Sequence, residues 1–250
     1  MKILVFTAKW IGVSCTKHLL DNFPQDSYEF VLCEPDSDMM IEFLKSRGLP
    51  FRLLSSTTIS EIESQPEGTY DWLLNLWGGH IFKPPTLAKV RNSVNIHPAF
   101  LPYCRGRDPI VWAIRNGLPA GATLHQISSG VDEGPIWCRK QVEYEFPIRG
   151  AGLYHQVVDA CVELFCSSWK AIRDGELIPQ VQPSSGDYPT YRRKDLIEDR
   201  CVDLDKDPVA RELVMRMLGH DFAPDYTLQI KINGRLYEMT ADLRPLKMEV

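Results

Sequence analysis

Two residues apart in the segment SVNIHPAFLP, Asn95 and His97 share one side of an extended run whose other side holds Val94 and Ile96. Pro98 has no backbone N–H and ends ladder pairing there. Asp132 follows in SSGVDEGP, again where an expected strand gives way to a loop. Taken singly, such an Asn or His reads as a cap for loop backbone, and Asp-Glu-Gly reads as a turn. As a trio they fit one chemistry. A carboxylate fixes the tautomer and charge of a histidine, and a neutral amide donates to a developing oxyanion without titrating. Proton removal, oxyanion stabilisation and collapse of a tetrahedral adduct are what acyl transfer to an amine needs.

Other chemistries lack their signatures. The loop TAKWIGVS after the first apolar run has no G-x-G-x-x-G, and no G-x-x-x-x-G-K-[ST] occurs, so nicotinamide and P-loop sites find little support. There is no G-x-S-x-G elbow and no His-x-x-x-His or His-x-Glu pair. Neither a metal nor a covalent intermediate is expected.

The elements that must position the trio alternate. KILVFTA, EFVLCEP, FRLLSS and DWLLNLWGG read as short buried strands, and VSCTKHLLDNF and DSDMMIEFLKSRG as helices between them. Asp36 or Ser37 is the expected cap of the second helix and Gly48 its stop. KPPTLAKVR is a short helix opened by prolines and leads into the Asn95 strand. This order predicts an α/β fold with a mostly parallel sheet and helices on both faces. PIVWAIRNG reads as a helix, GATLHQIS and IWCRKQVEYE as a strand pair, and residues 151 to 174 as a long amphipathic helix. PQVQPSSGDYPTYRRKD changes composition, giving domains at 1–180 and 196–250 with a linker at 181–195. The last part is a small subdomain of one helix and a β-hairpin turning at Asn233-Gly234.

Hydrophobic residues make up 44% of the 250, enough to bury a core. The formal net charge of −5 argues against a polyanion as main partner, so no nucleic acid is expected. Seven cysteines without a C-x-x-C pair fit a reducing compartment. With no signal-peptide plan and no apolar stretch of spanning length, a cytoplasmic protein without membrane contact is expected.

The stretch NIHPAFLPYCRGRDPIVWAIRNGLPAGATLHQISSGVDEGPIW (residues 95–137) strongly resembles the core of the folate-dependent formyltransferases through N-x-H-P, L-P-x-x-R-G and G-x-D-x-G. That family includes glycinamide ribonucleotide formyltransferases, methionyl-tRNA formyltransferases and sugar N-formyltransferases, and the match runs loosely from residue 1 to about 175. The resemblance implies the Rossmann-like formyltransferase fold, with catalytic Asn95, His97 and Asp132 and 10-formyltetrahydrofolate as formyl donor. It puts folate between Trp77, Gly78, Gly79, His80, Ile81 and Phe82 on one loop and Ser129, Gly130, Val131 and Asp132 on another. Gly78 and Gly79 would let backbone approach a flat pterin. His80 is unusual in that loop, and its role is open. On the acceptor side lie Tyr103, Arg105, Gly106 and Arg107, where two guanidinium forks suit a diphosphate. Lys9 and Trp10, in the loop after the first strand, suit the same cleft, although a core or dimer-facing Trp is an equal reading.

Among acceptors, residues 186 to 250 exceed a lone catalytic domain and carry 11 Lys and Arg against 13 Asp and Glu, with no basic stripe for RNA. The resemblance is therefore to enzymes that act on a nucleotide-linked amino-dideoxy sugar, with dTDP-4-amino-4,6-dideoxyglucose as first choice and a homodimer as the assembly. The glycinamide ribonucleotide and methionyl-tRNA branches stay open, as do a non-catalytic nucleotide-sugar binder and hydrolysis of the formyl-folate.

Overall fold

The apolar run at the start of the chain forms β1 (Lys2–Thr7), buried from Ile3 onward. In the computed structural model, which describes residues 1–33, 37–183, 188–203, 209–240 and 242–243, the alternation then proceeds as its spacing predicts, with one further helix at Ser56–Glu63. It runs through α1 (Lys9–Asn22), β2 (Ser27–Leu32), α2 (Asp38–Ser46), β3 (Phe51–Leu53), α3 (Ser56–Glu63), β4 (Tyr70–Leu76), α4 (Pro84–Leu87) and β5 (Val90–His97). β6 (Arg105–Gly106), α5 (Pro109–Asn116), β7 (Ala120–His125), β8 (Ile136–Val142) and α6 (Gly150–Arg173) follow. The chain ends with β9 (Thr190–Tyr191), α7 (Arg193–Arg200), β10 (Cys201–Asp203), α8 (Ala210–Gly219), β11 (Leu228–Ile232) and β12 (Arg235–Met239).

Two compact units are present. The first comprises Met1–His97, Ala122–Lys140 and Val158–Pro183, and the second Pro98–Gly121, Gln141–Val157 and Ser184–Val250. The second unit therefore draws on two central segments besides the C-terminal part, where the sequence pointed to a single break. The segment expected as linker is tied in: β9 pairs with β6, Gln182 donates to two backbone carbonyls, and α7 begins at Arg193. Of that segment, residues 184–187 lie outside the described residues, as does Asp36, the alternative helix cap. Ser37 does occupy the N-cap of α2, but its hydroxyl makes no capping bond.

In the first unit the seven-stranded sheet has the order β3-β2-β1-β4-β5-β7-β8. Its strands pair in parallel from β3 to β5, and β7 joins β5 antiparallel. Strand order reverses at β1, whose neighbours are β2 and β4, so the carboxyl ends of β1 and β4 flank a switch point of the kind that opens a ligand crevice. One face is packed by Leu4, Phe6, Val31, Ile62, Tyr70, Leu73 and Phe82. Trp72, next to Leu73 on β4, turns the other way, against Trp137 and the fully buried Trp169 of α6. Burying one large apolar side chain of this kind stabilises by about 1.5–3 kcal/mol. Lys9 and Trp10, expected in a loop, instead form the first turn of α1. The helix can start that early because Gly12 fits against Thr7 and the Leu76 carbonyl, where a Cβ would stand 2.2 Å from the Thr7 hydroxyl.

In the second unit α5 packs against α8. The hairpin β11–β12 turns at Asn233 and Gly234, both left-handed with φ of 49° and 76°, as its sequence requires. β10, unanticipated, extends that hairpin by pairing parallel to β11. No helix among the described residues is long and apolar enough to cross a membrane.

Candidate active site

Sheet register assembles the candidate site. Asn75 on β4 lies beside Asn95 on β5, and Asn95 lies opposite His125 on β7, so three polar side chains form a row across the sheet. His97, two residues beyond Asn95, shares its face. Asp132 joins from the loop between β7 and β8. Its Oδ2 stands 3.5 Å from His97 Nδ1, and its Oδ1 stands 3.5 Å from Asn95 Nδ2 and 3.4 Å from His125 Nε2. These are long contacts, as is common for catalytic groups before substrate tightens them. The rings of both histidines are buried and the Asp132 side chain is 14% exposed, so the three groups interact with little screening. One carboxylate thus faces two imidazoles and an amide donor.

The loop carrying Asp132 is held by its backbone. Asp132 itself is left-handed, with φ of 54°. The Gln182 amide donates to the carbonyls of Asp132 (2.9 Å) and Gly134 (2.7 Å), and Gln126 N–H donates to the Pro135 carbonyl. A Cβ at Gly134 would meet the Gln126 carbonyl oxygen at 1.8 Å, which accounts physically for the second glycine of G-x-D-x-G. Gly134→Ala must push the loop off β7. The expected cost is about 1–3 kcal/mol from overpacking, with a loss of turnover on the order of 10²-fold from displaced Asp132. Urea unfolding and steady-state kinetics read both, and an unchanged variant would refute this role.

The loop after β4 begins with Trp77 at φ of 73°. Asn75 closes it, accepting from Gly78 N–H (3.1 Å) and donating to the Gly78 carbonyl (2.9 Å). A Cβ at Gly78 would stand 2.4 Å from Asn75 Oδ1 and 2.7 Å from Cys33 Sγ, so this glycine is needed for packing inside the protein. Ile81 on this loop and Val131 on the Asp132 loop are apolar and exposed, at 66% and 41%. They offer surface to a flat heterocycle. Phe82, expected beside them, is a core residue instead, because it turns inward to meet Phe6 edge-on.

His80 has a structural place: its ring stacks on Phe6 at 5.6 Å and meets the Phe82 edge at 4.9 Å. Burial holds its pKa below the usual 6.5, against the pull of Glu63. A histidine with a lowered folded pKa contributes stability that is full above its unfolded pKa and drains as pH falls through 6.5 toward the folded value. His80→Phe keeps the stack and removes the titration. Its urea stability should therefore fall less steeply than wild type between about pH 7 and pH 5; equal slopes would contradict this.

The first unit thus brings together Asn95, His97 and Asp132, along with Trp77, Gly78, Gly79, Ser129 and Gly130 on the two loops, and holds Lys9 and the half-exposed Trp10. Tyr103, Arg105, Gly106 and Arg107 belong to the second unit. Arg105 is 1% exposed on β6, whereas Arg107 is exposed. Gly106, at φ of 88°, lies so close to β9 that a Cβ would meet the Tyr191 carbonyl oxygen at 2.0 Å. An open groove of about 760 Å³ between α5, β8 and α8 contains none of the proposed catalytic residues. Asn75, His125 and Gln182 were not anticipated. Asn75 did leave a signal, as the lone polar residue in LLNLW, whereas His125 stands between Thr123 and Gln126 in ATLHQI and is not singled out there.

Residues 77–155 match the family model described as formyl transferase. The chain is 33% identical over 135 residues to a Mycobacterium tuberculosis protein named dTDP-4-amino-4,6-dideoxyglucose formyltransferase, an alignment covering 52% of this chain and 57% of that relative. The chain thus spans little more than half the length of that relative. In fold it is similar to a 4-N formyltransferase from Francisella tularensis (TM-score 0.82, 23% identity, 98% of both chains). It is also similar to an N-formyltransferase from Helicobacter canadensis solved with folinic acid and dTDP-3-aminofucose (TM-score 0.76, 17% identity, 94% of this chain and 85% of that one).

Proposed function

We propose that this chain, whose residues 77–155 match the formyl transferase family model, moves a formyl group from 10-formyltetrahydrofolate to the amine of a nucleotide-linked amino-dideoxy sugar. The observation that carries this reading is the single Asp132 carboxylate within 3.5 Å of His97 Nδ1 and Asn95 Nδ2. The acceptor class rests on the name of the M. tuberculosis relative, and dTDP-4-amino-4,6-dideoxyglucose is the first candidate.

The folate, as co-substrate, supplies the formyl carbon. Backbone groups of Trp77–Gly79 and Ser129–Val131, with the exposed side chains of Ile81 and Val131, are the surfaces that would hold it. The chain's own groups then divide the work. Asn95 N–H donates toward the formyl oxygen as it gains negative charge, and so does the His97 ring when it carries a proton on each nitrogen, with Nδ1–H facing Asp132. Asp132 accepts the proton that the attacking amine must lose, directly or through water, and orients His97 through Nδ1; as the tetrahedral adduct collapses, the bond between the formyl carbon and the folate nitrogen breaks and that proton passes to the leaving nitrogen. No residue forms a covalent bond. Lys9, Trp10, Tyr103, Arg105, Gly106 and Arg107 belong to the acceptor side in this reading, and exposed Arg107 is the guanidinium best suited to a diphosphate. A cytoplasmic homodimer is part of the same reading.

The test is incubation with 10-formyltetrahydrofolate, with and without a panel of dTDP- and UDP-linked amino sugars. Acceptor-dependent loss of the formyl group supports the reading. Loss without acceptor would make the protein a hydrolase, and no loss would make it a binder.

A further inference from the structure

We infer that His125 is a positioning residue that fixes which end of the Asn95 carboxamide faces the reaction; the inference rests on the formyl-transfer reading for its kinetic consequence but not for its geometry. An Asn side chain is symmetric in shape and opposite in chemistry at its two ends, so a donor role requires something to stop it flipping. The orientation can be traced from the backbone outward. Asn75 Oδ1 accepts from Gly78 N–H and Asn75 Nδ2 donates to the Gly78 carbonyl, and these two bonds leave Asn75 only one orientation. Its Nδ2 also donates to Asn95 Oδ1 at 2.7 Å, which sends Asn95 Nδ2 the other way. There it meets His125 Nε2 at 2.9 Å.

His125 can receive it in only one tautomer. Its Nδ1 lies 2.7 Å from the Gln126 carbonyl oxygen, which is an acceptor, so Nδ1 carries the proton and Nε2 presents a lone pair. That lone pair takes one Asn95 N–H, and the second N–H is left on the Asp132 side, 3.5 Å from Oδ1. His125 is nearly fully buried, and antiparallel pairing puts it directly opposite Asn95. Register and burial thus lock the donor from one side while Asn75 locks it from the other.

His125→Leu keeps a side chain of similar bulk and removes the acceptor. It should lower kcat about 10- to 100-fold, the range for lost supporting hydrogen bonds at a site, while KM for folate and for sugar stays near wild type. His125→Gln can present Oε1 where Nε2 stood, and should restore most of kcat. Full kcat in His125→Leu, or an equal loss in His125→Gln, would overturn the role. A readout independent of both catalysis and the variants' folding comes from 15N NMR of the wild type. The expected spectrum shows His125 protonated at Nδ1 and a scalar coupling across the hydrogen bond between its Nε2 and Asn95 Nδ2. A proton on Nε2 at neutral pH would refute the proposal even if the enzyme transfers formyl groups, and wild-type inactivity with this spectrum would sink only the functional reading.

Discussion

Replacing Asp132 with Asn should cut turnover by about 10²- to 10⁴-fold, the range for loss of a general base. The substitution preserves shape and removes charge. Two neighbours depend on that charge: His97 through Oδ2 and Asn95 through Oδ1. With an amide there, no group at this point can take the amine proton, and the His97 ring loses the partner that sets its orientation. The fold should survive, because the clamps on this loop run through backbone carbonyls to Gln182 and not through the carboxylate. KM values close to wild type beside a collapsed kcat would separate chemistry from binding. Wild-type turnover in Asp132→Asn would remove Asp132 from the mechanism.

The second large effect is on stability. Asp199→Asn should cost about 3 kcal/mol, the low end for breaking a buried ion pair from one side. Asp199 on α7 is a hub: Arg115 of α5 at 3.3 Å, Arg216 of α8 at 3.2 Å, and the fully buried His220 at 3.1 Å all converge on its carboxylate. Its side chain is only 11% exposed, so the field of the two guanidinium groups is weakly screened. Burial by itself would raise the Asp199 pKa, but the His220 hydrogen bond and the charges of Arg216 and Arg115 outweigh it and hold the pKa below 3.8. For a carboxylate with a lowered folded pKa, the stability contributed is full above the unfolded pKa and is lost as pH falls through it toward the folded value. Urea titrations at neutral pH should show the whole deficit, and the gap between variant and wild type should narrow below about pH 4. A deficit under about 0.5 kcal/mol at neutral pH would mean that α5, α7 and α8 are held by apolar packing alone.

What the sequence disclosed and what it hid have separate physical causes. Continuous apolar runs make β1, β2 and β4 visible, and period-two alternation alone puts Asn95 and His97 on one face. The Asn233-Gly234 turn was equally legible, since few residue pairs accept two left-handed conformations. Helix α3 was not legible, because STTISEIE is rich in Ser and Thr and reads as loop; its start is made by Ser55 accepting from Thr58 N–H. The two-residue strands β6 and β9 carry no periodicity at all, and what fixes them is Gly106 lying against Tyr191. Asn75 and His125 were hidden differently. Each is placed by inter-strand register, and register depends on partners that a single strand's pattern does not name. The glycine pair of the loop at 77–79 suggests ligand approach from sequence, whereas Gly78 is required by Asn75 and Cys33 inside the protein.

The central claim, formyl transfer to a sugar amine by Asn95, His97 and Asp132, is tested most directly by following an isotopic label. Wild type and Asp132→Asn are each given 10-formyltetrahydrofolate carrying 13C in the formyl group, together with dTDP-4-amino-4,6-dideoxyglucose, and the sugar nucleotide is analysed by mass spectrometry and 13C NMR. The account predicts a formamide 13C signal on the sugar nitrogen with wild type and almost none with Asp132→Asn over the same time. An unlabelled sugar with wild type, or equal labelling by both proteins, would contradict it.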